Sequence, residues 1–125
     1  MQSNDNLFDV CVRGAGIVGR TLALALSRQG LAVALQAPPD DAAREDVRAY
    51  ALNAASVALL DSLKVWEALP ADARTAVFDM RIEGDAAAAV LRFSAWQQQV
   101  RELAWIVDAA ALEAEVRALE LKVQR

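Results

Sequence analysis

The sequence predicts an α/β fold organised around one parallel β-α-β unit in residues 8–36. Three observations carry this. An apolar run, Phe8 to Val12, leads straight into a turn with the spacing Gly14-x-Gly16-x-x-Gly19. A helical apolar period follows from Ile17, and a single glycine, Gly30, separates it from a second apolar run, Leu31 to Leu35. The glycines therefore stand at the end of a strand and open a helix, the place of the phosphate-binding turn in a Rossmann-like unit.

The first strand, Phe8 to Val12, is apolar enough to read as a buried parallel strand, which makes Cys11 a buried, inert thiol. Arg13 points its guanidinium out at the strand's end. The glycines have separate mechanical roles. Gly14 permits a tight turn, Gly16 lets a pyrophosphate approach the backbone, and Gly19 lets helix and strand pack closely. The N–H groups near Gly16 and Ile17 face the phosphates, helped by the helix dipole. The helix, Ile17 to Gln29, is expected to turn Val18, Leu22, Ala25 and Leu26 to the sheet and Arg20 and Arg28 to water. Gly30 is its stop signal. Gln36 ends the second strand about 20 residues after the glycines, where an acidic side chain usually accepts from ribose hydroxyls; it keeps an acceptor carbonyl and loses the charge.

Pro38 to Asp41 open a polar loop that runs to about Val47. Extended chain is predicted from Asp46 to Asn53, with Asn53 capping a helix over Ala54 to Leu63 that buries Val57, Leu60 and Leu63. A short helical turn follows from Lys64, ended by Pro70. Phe78, Met80 and Ile82 alternate with Asp79, Arg81 and Glu83, as a half-buried strand does, and pair with Val90 to Ser94 as a hairpin over residues 77–94. Gln97 to Gln99 form a solvated loop. Leu103 to Val107 is a third apolar strand, and Asp108 caps a helix from Ala109 to about Leu119 with Leu112, Val116 and Leu119 inside. A further strand is expected to start at Leu121.

Composition narrows the function. The chain has 125 residues, one domain or part of a larger one, with net charge -4 and a pI near 4.8, which excludes a basic nucleic-acid surface. With no histidine and one cysteine, a His/Cys zinc site is excluded. No run approaches the roughly 20 apolar residues that span a bilayer, and the first residues do not form a signal peptide. A soluble cytoplasmic protein is expected, with a peripheral membrane role left open.

Three segments carry a resemblance: DVCVRGAGIVGRTLALALS, DVRAYALNAASVALLDSLKVWEAL and LAWIVDAAALEAEV. They resemble the N-terminal portion of the FAD-dependent aromatic hydroxylases, in particular the ubiquinone-biosynthesis group. The resemblance implies an incomplete FAD-binding domain over residues 1–125 whose hairpin begins a substrate layer. It implies FAD as cofactor, NAD(P)H as co-substrate, and a small aromatic or prenylated substrate. It also implies that Arg48 reaches the FAD phosphate or ribitol, where its planar fork supplies charge-assisted hydrogen bonds. From the residues alone, Arg48 is equally a surface arginine paired with Asp46 or Glu45, and both readings stay open.

The chain departs from the family at Gln36, commonly acidic, and at Lys64, near which the family often has glycine. It also lacks the later Asp-Gly and Gly-Asp motifs of the full-length family, and no residue is a credible general acid or base, so none is named as catalytic. Trp66, Trp96 and Trp105 read as core or domain-contact residues rather than a substrate-stacking box. Two rivals remain: an NAD(P)-binding dehydrogenase domain, and a non-catalytic fragment that folds only against a partner chain. Association with a hydroxylase complex, a homo-oligomer or a complementing chain is the partner expectation.

Overall fold

The elements follow in the order β1 (Val10–Arg13), α1 (Ile17–Arg28), β2 (Val33–Gln36), β3 (Ala49–Leu52), α2 (Ala54–Ser62), a 3-10 turn (Ala71–Ala73), β4 (Arg74–Val77), β5 (Asp79–Glu83), β6 (Val90–Ser94), β7 (Ala104–Asp108) and α3 (Ala109–Val123). The computed structural model describes residues 7–37 and 46–123, with side chains through residue 120. The predicted Pro38–Asp41 loop lies outside the described residues. β1 and β2 form a parallel pair with Val10 opposite Val33 and Arg13 opposite Gln36, the register of a β-α-β unit. β7 is the centre of a three-stranded antiparallel sheet, flanked by β3 and β4, and β5 and β6 make a separate two-stranded ribbon.

One buried cluster joins the helices to the three-stranded sheet. Leu24 of α1, Leu60, Leu63, Val65, Trp66 and Leu69 on and after α2, Val107 of β7, and Leu112 and Val116 of α3 form one buried cluster. The row on α2 and the stripe on α3 are the ones the helical period predicts. Trp66 meets Trp105 edge to face at 5.2 Å, and Arg74 lies over the Trp66 ring at 4.9 Å while donating to its carbonyl at 3.0 Å. Two caps act as expected. Asn53 Oδ1 accepts the Ser56 N–H at 2.9 Å, and Asp108 Oδ1 accepts the Ala110 N–H at 3.1 Å. α2 closes with Lys64 in the left-handed region (φ 65°), its N–H on the Asp61 carbonyl and the Val65 N–H on that of Leu60. That is the geometry for which glycine is favoured, and it explains why a lysine at this place departs from the family pattern.

Several expectations fail, each for a reason of packing. Cys11 is exposed: on β1 Val10 and Val12 share the more buried face, and Cys11 and Arg13 stand on the other, which carries no covering layer among the described residues. On α1 the buried residues are Ala23 and Leu24, while Val18 and Leu22 are open to solvent, because α1 packs on α3 as well as on the strands and so buries a different face. β4 has no sequence signal, since Arg74-Thr-Ala-Val has too little apolar alternation. It is a strand because it borders β7, with Arg74 opposite Val107. The extended chain then changes partner at Phe78 and continues as β5. The hairpin is present, but its strand is not half-buried: Phe78, Met80, Ile82 and Leu91 are all exposed. Trp96 is 86% exposed and is no core residue. Finally, residues 121–123 continue α3 rather than starting a strand.

Candidate nucleotide-binding site

The glycine turn separates its three glycines by mechanism. Gly14 has φ +109°, a backbone conformation that side chains rarely adopt, and its N–H donates to the Gln36 carbonyl at 3.0 Å, tying the turn to the end of β2. At Gly19 a Cβ would collide with the Gly14 carbonyl oxygen, so glycine is required for turn and helix to approach. Gly16 differs from both. Its φ of -73° suits any residue, and a Cβ built there meets nothing within 4 Å. Nothing among the described residues explains a glycine at this position; the space it leaves faces outward from the turn.

That space is lined with donors. Among the described residues no acceptor takes the N–H of Gly16 or of Ile17, and no side chain caps α1. The first turn of α1 carries no acidic residue. Free N–H groups at the positive end of a helix dipole suit an anion such as a phosphate. Gln36 is exposed at the end of β2, where its amide carbonyl can accept from a hydroxyl, and Arg13 stands opposite it in the strand register, also exposed. Gly14, Gly16, Ile17, Gly19 and Gln36 are thus brought together at one end of the β-α-β unit.

Arg20 is a neighbour of this site that sequence reasoning placed in water. Its side chain is only 13% exposed, its Nε donates to the Ala15 carbonyl at 2.8 Å, and its Nη1 meets Glu120 Oε2 at 2.8 Å. Glu120, itself 13% exposed, comes from α3. A partner a hundred positions away leaves no local mark in the sequence, so only the pairing of the helices could reveal it.

Arg48 stands apart from the glycines, just before β3. Its Nε and Nη2 donate to the two carboxylate oxygens of Asp46, each at 2.9 Å, and its side chain remains 70% exposed. Those bonds hold the Asp46 carboxyl well below its ordinary value, at about 2, and raise the guanidinium further above its own. The Arg48 carbonyl accepts the Ala109 N–H at 3.0 Å, at the first residue of α3, whereas Glu120 meets Arg20 beside the glycine turn. The rise along α3 between Ala109 and Glu120 is about 16 Å.

The class these features define is an α/β fold shared with FAD-dependent monooxygenases. A crystal structure of PqsL, a probable FAD-dependent monooxygenase from Pseudomonas aeruginosa, matches 90% of this chain and 30% of its own with a TM-score of 0.67 at 21% identity. Aklavinone-11 hydroxylase, solved in a ternary complex with FAD and aklavinone, matches 97% of this chain and 25% of its own with a TM-score of 0.61 at 23% identity. In sequence the chain is similar to the 3-demethoxyubiquinol 3-hydroxylase of Escherichia coli, with 41% identity over 68 residues, covering 50% of this chain and 17% of that protein. It is 34% identical over 84 residues to ubiquinone hydroxylase UbiL of Rhodospirillum rubrum, covering 64% of this chain and 19% of that protein. The chain thus spans less than a fifth of the length of these curated relatives. No family model matches it. Among the described residues no helix is long and apolar enough to cross a membrane.

Proposed function

We propose that this chain supplies the FAD-binding turn of a flavin-dependent monooxygenase that hydroxylates an aromatic ring, with a ubiquinone precursor as the substrate class. The observation that carries the reading is the open space at Gly16 and the N–H groups of Gly16 and Ile17, which no acceptor among the described residues takes, in a chain similar to ubiquinone hydroxylases. The residues present fit the cofactor. Gly16 and Ile17 bind its pyrophosphate through backbone N–H groups, and Gln36 accepts from a ribose hydroxyl. Arg48 reaches the more distant part once its guanidinium exchanges Asp46 for the ligand. FAD, when bound and reduced by NAD(P)H, supplies the activation of O₂ for transfer to the ring; the protein binds and orients it. No side chain of this chain is assigned a proton-transfer role.

The test is direct. The purified chain should take up FAD and show flavin absorbance, and Gly16→Val should abolish that uptake while leaving the fold intact, because the apo turn has room for the side chain. Unchanged FAD affinity in the valine variant would mean the glycine is not a ligand contact. A second reading is favoured by one observation, the exposed apolar residues Phe78, Ile82 and Leu91 on the ribbon of β5 and β6. A second chain or copy covers such faces in many proteins. A monomeric mass in solution, with the ribbon's amides well protected from exchange, counts against it.

A further inference from the structure

We infer that Arg20 and Glu120 form a latch that sets the direction of the Gly16 N–H, making Arg20 a positioning residue for the dinucleotide without touching it. The inference rests on the FAD reading above and adds the device that holds its turn in shape.

The geometry begins with one peptide plane. The bond between Ala15 and Gly16 is trans, as all peptide bonds of the described residues are, so the Ala15 carbonyl and the Gly16 N–H point in opposite directions. The Ala15 carbonyl is held by Arg20 Nε at 2.8 Å, on the side of α1. The Gly16 N–H is thereby turned away from the Arg20 guanidinium, at a residue where an added Cβ would meet nothing within 4 Å. Glycine at this position would otherwise let the plane rotate freely, since no side chain caps α1 and no backbone acceptor among the described residues takes that N–H. Freezing the plane before a ligand arrives removes an ordering cost from binding.

Arg20 is itself held. Its Nη1 meets Glu120 Oε2 at 2.8 Å, both side chains are 13% exposed, and the second carboxylate oxygen of Glu120 is buried with no hydrogen-bond partner among the described residues. A carboxylate left half-satisfied contributes little to stability by itself, since ion pairs removed from water rarely gain more than they lose on desolvation. Its geometric effect is clear, however. The guanidinium cannot swing to solvent, and its Nε stays on the Ala15 carbonyl. The orientation of the phosphate turn is in this way linked to the docking of α3 on α1.

The experiment uses three forms of the chain, the native one, Arg20→Lys and Glu120→Gln, with FAD and ADP as probes. Lysine keeps the charge that pairs with Glu120, but its donors all sit on one terminal nitrogen, with none at the place of Arg20 Nε to hold the Ala15 carbonyl at the same time. The latch predicts that Arg20→Lys weakens both probes by about tenfold, the size of one well-placed hydrogen bond. It also predicts a shifted Ala15 carbonyl carbon and Gly16 amide nitrogen in the ligand-free NMR spectrum, with an unchanged Tm. Glu120→Gln, whose amide oxygen still accepts from Arg20, should bind more tightly than Arg20→Lys. Equal affinity for native and Arg20→Lys proteins, or unmoved Ala15 and Gly16 signals, overturns the latch while leaving the FAD reading in place. Failure of the native chain to bind either probe overturns the FAD reading and the latch with it, a pattern distinct from the first.

Discussion

The two regions that present an arginine to the candidate site, the glycine turn with Arg20 and the segment before β3 with Arg48, use the same side chain in opposite ways. Arg20 is 13% exposed and spans from its own turn to a carboxylate on another helix. Arg48 is 70% exposed and pairs with Asp46, two residues away in the chain. A guanidinium with a distant, buried partner fixes architecture. An exposed guanidinium with a partner nearby in the chain is less firmly fixed, and a ligand could compete for it.

The largest expected effect comes from breaking the buried pair. Arg20→Leu should lower stability by about 3 kcal/mol, because Glu120 is then left buried without its cation. Adding Glu120→Leu should restore most of that loss, and urea denaturation of the single and double variants measures both. If the single variant is no less stable than native, Arg20 is not the structural arginine of the two.

Arg48→Leu should change stability far less than Arg20→Leu by the same measurement, since its guanidinium stands 70% exposed and is screened by solvent. Its effect should fall instead on FAD affinity. A fall in stability matching that of Arg20→Leu would erase the contrast between the regions.

The smallest effect is a titration. Asp46 has its carboxyl lowered from 3.8 to about 2 by its hydrogen bonds with Arg48. A depressed folded-state value means the pair's contribution is complete above 3.8 and is lost as pH falls through about 2. NMR titration of the Asp46 side-chain carboxyl checks this, and Arg48→Leu should return it towards its ordinary range. Bound FAD should do the same if it draws Arg48 away.

The parts of this protein that were legible in the sequence are those with local causes. The spacing of Gly14, Gly16 and Gly19 reflects demands the backbone makes within one turn, and Asn53 and Asp108 cap helices through bonds to residues two or three positions on. The stripe of Leu112 and Val116 follows from the helical period alone. Local chemistry even explains Lys64, whose left-handed backbone marks the place where glycine is favoured.

Which of these surfaces meets a partner is set by packing between elements distant in the chain. The alternation of Phe78, Met80 and Ile82 announced a face, but no pattern in the sequence says whether a layer lies against it, and all three are exposed. The helical period of α1 allowed more than one buried stripe. Its packing on α3 selected Ala23 and Leu24, left Val18 and Leu22 outside, and took Arg20 out of water to meet Glu120. The glycine turn was written in the chain. The arginine that holds it was decided by two helices packing side by side, because burial is a property of a pair of surfaces and a sequence pattern describes only one.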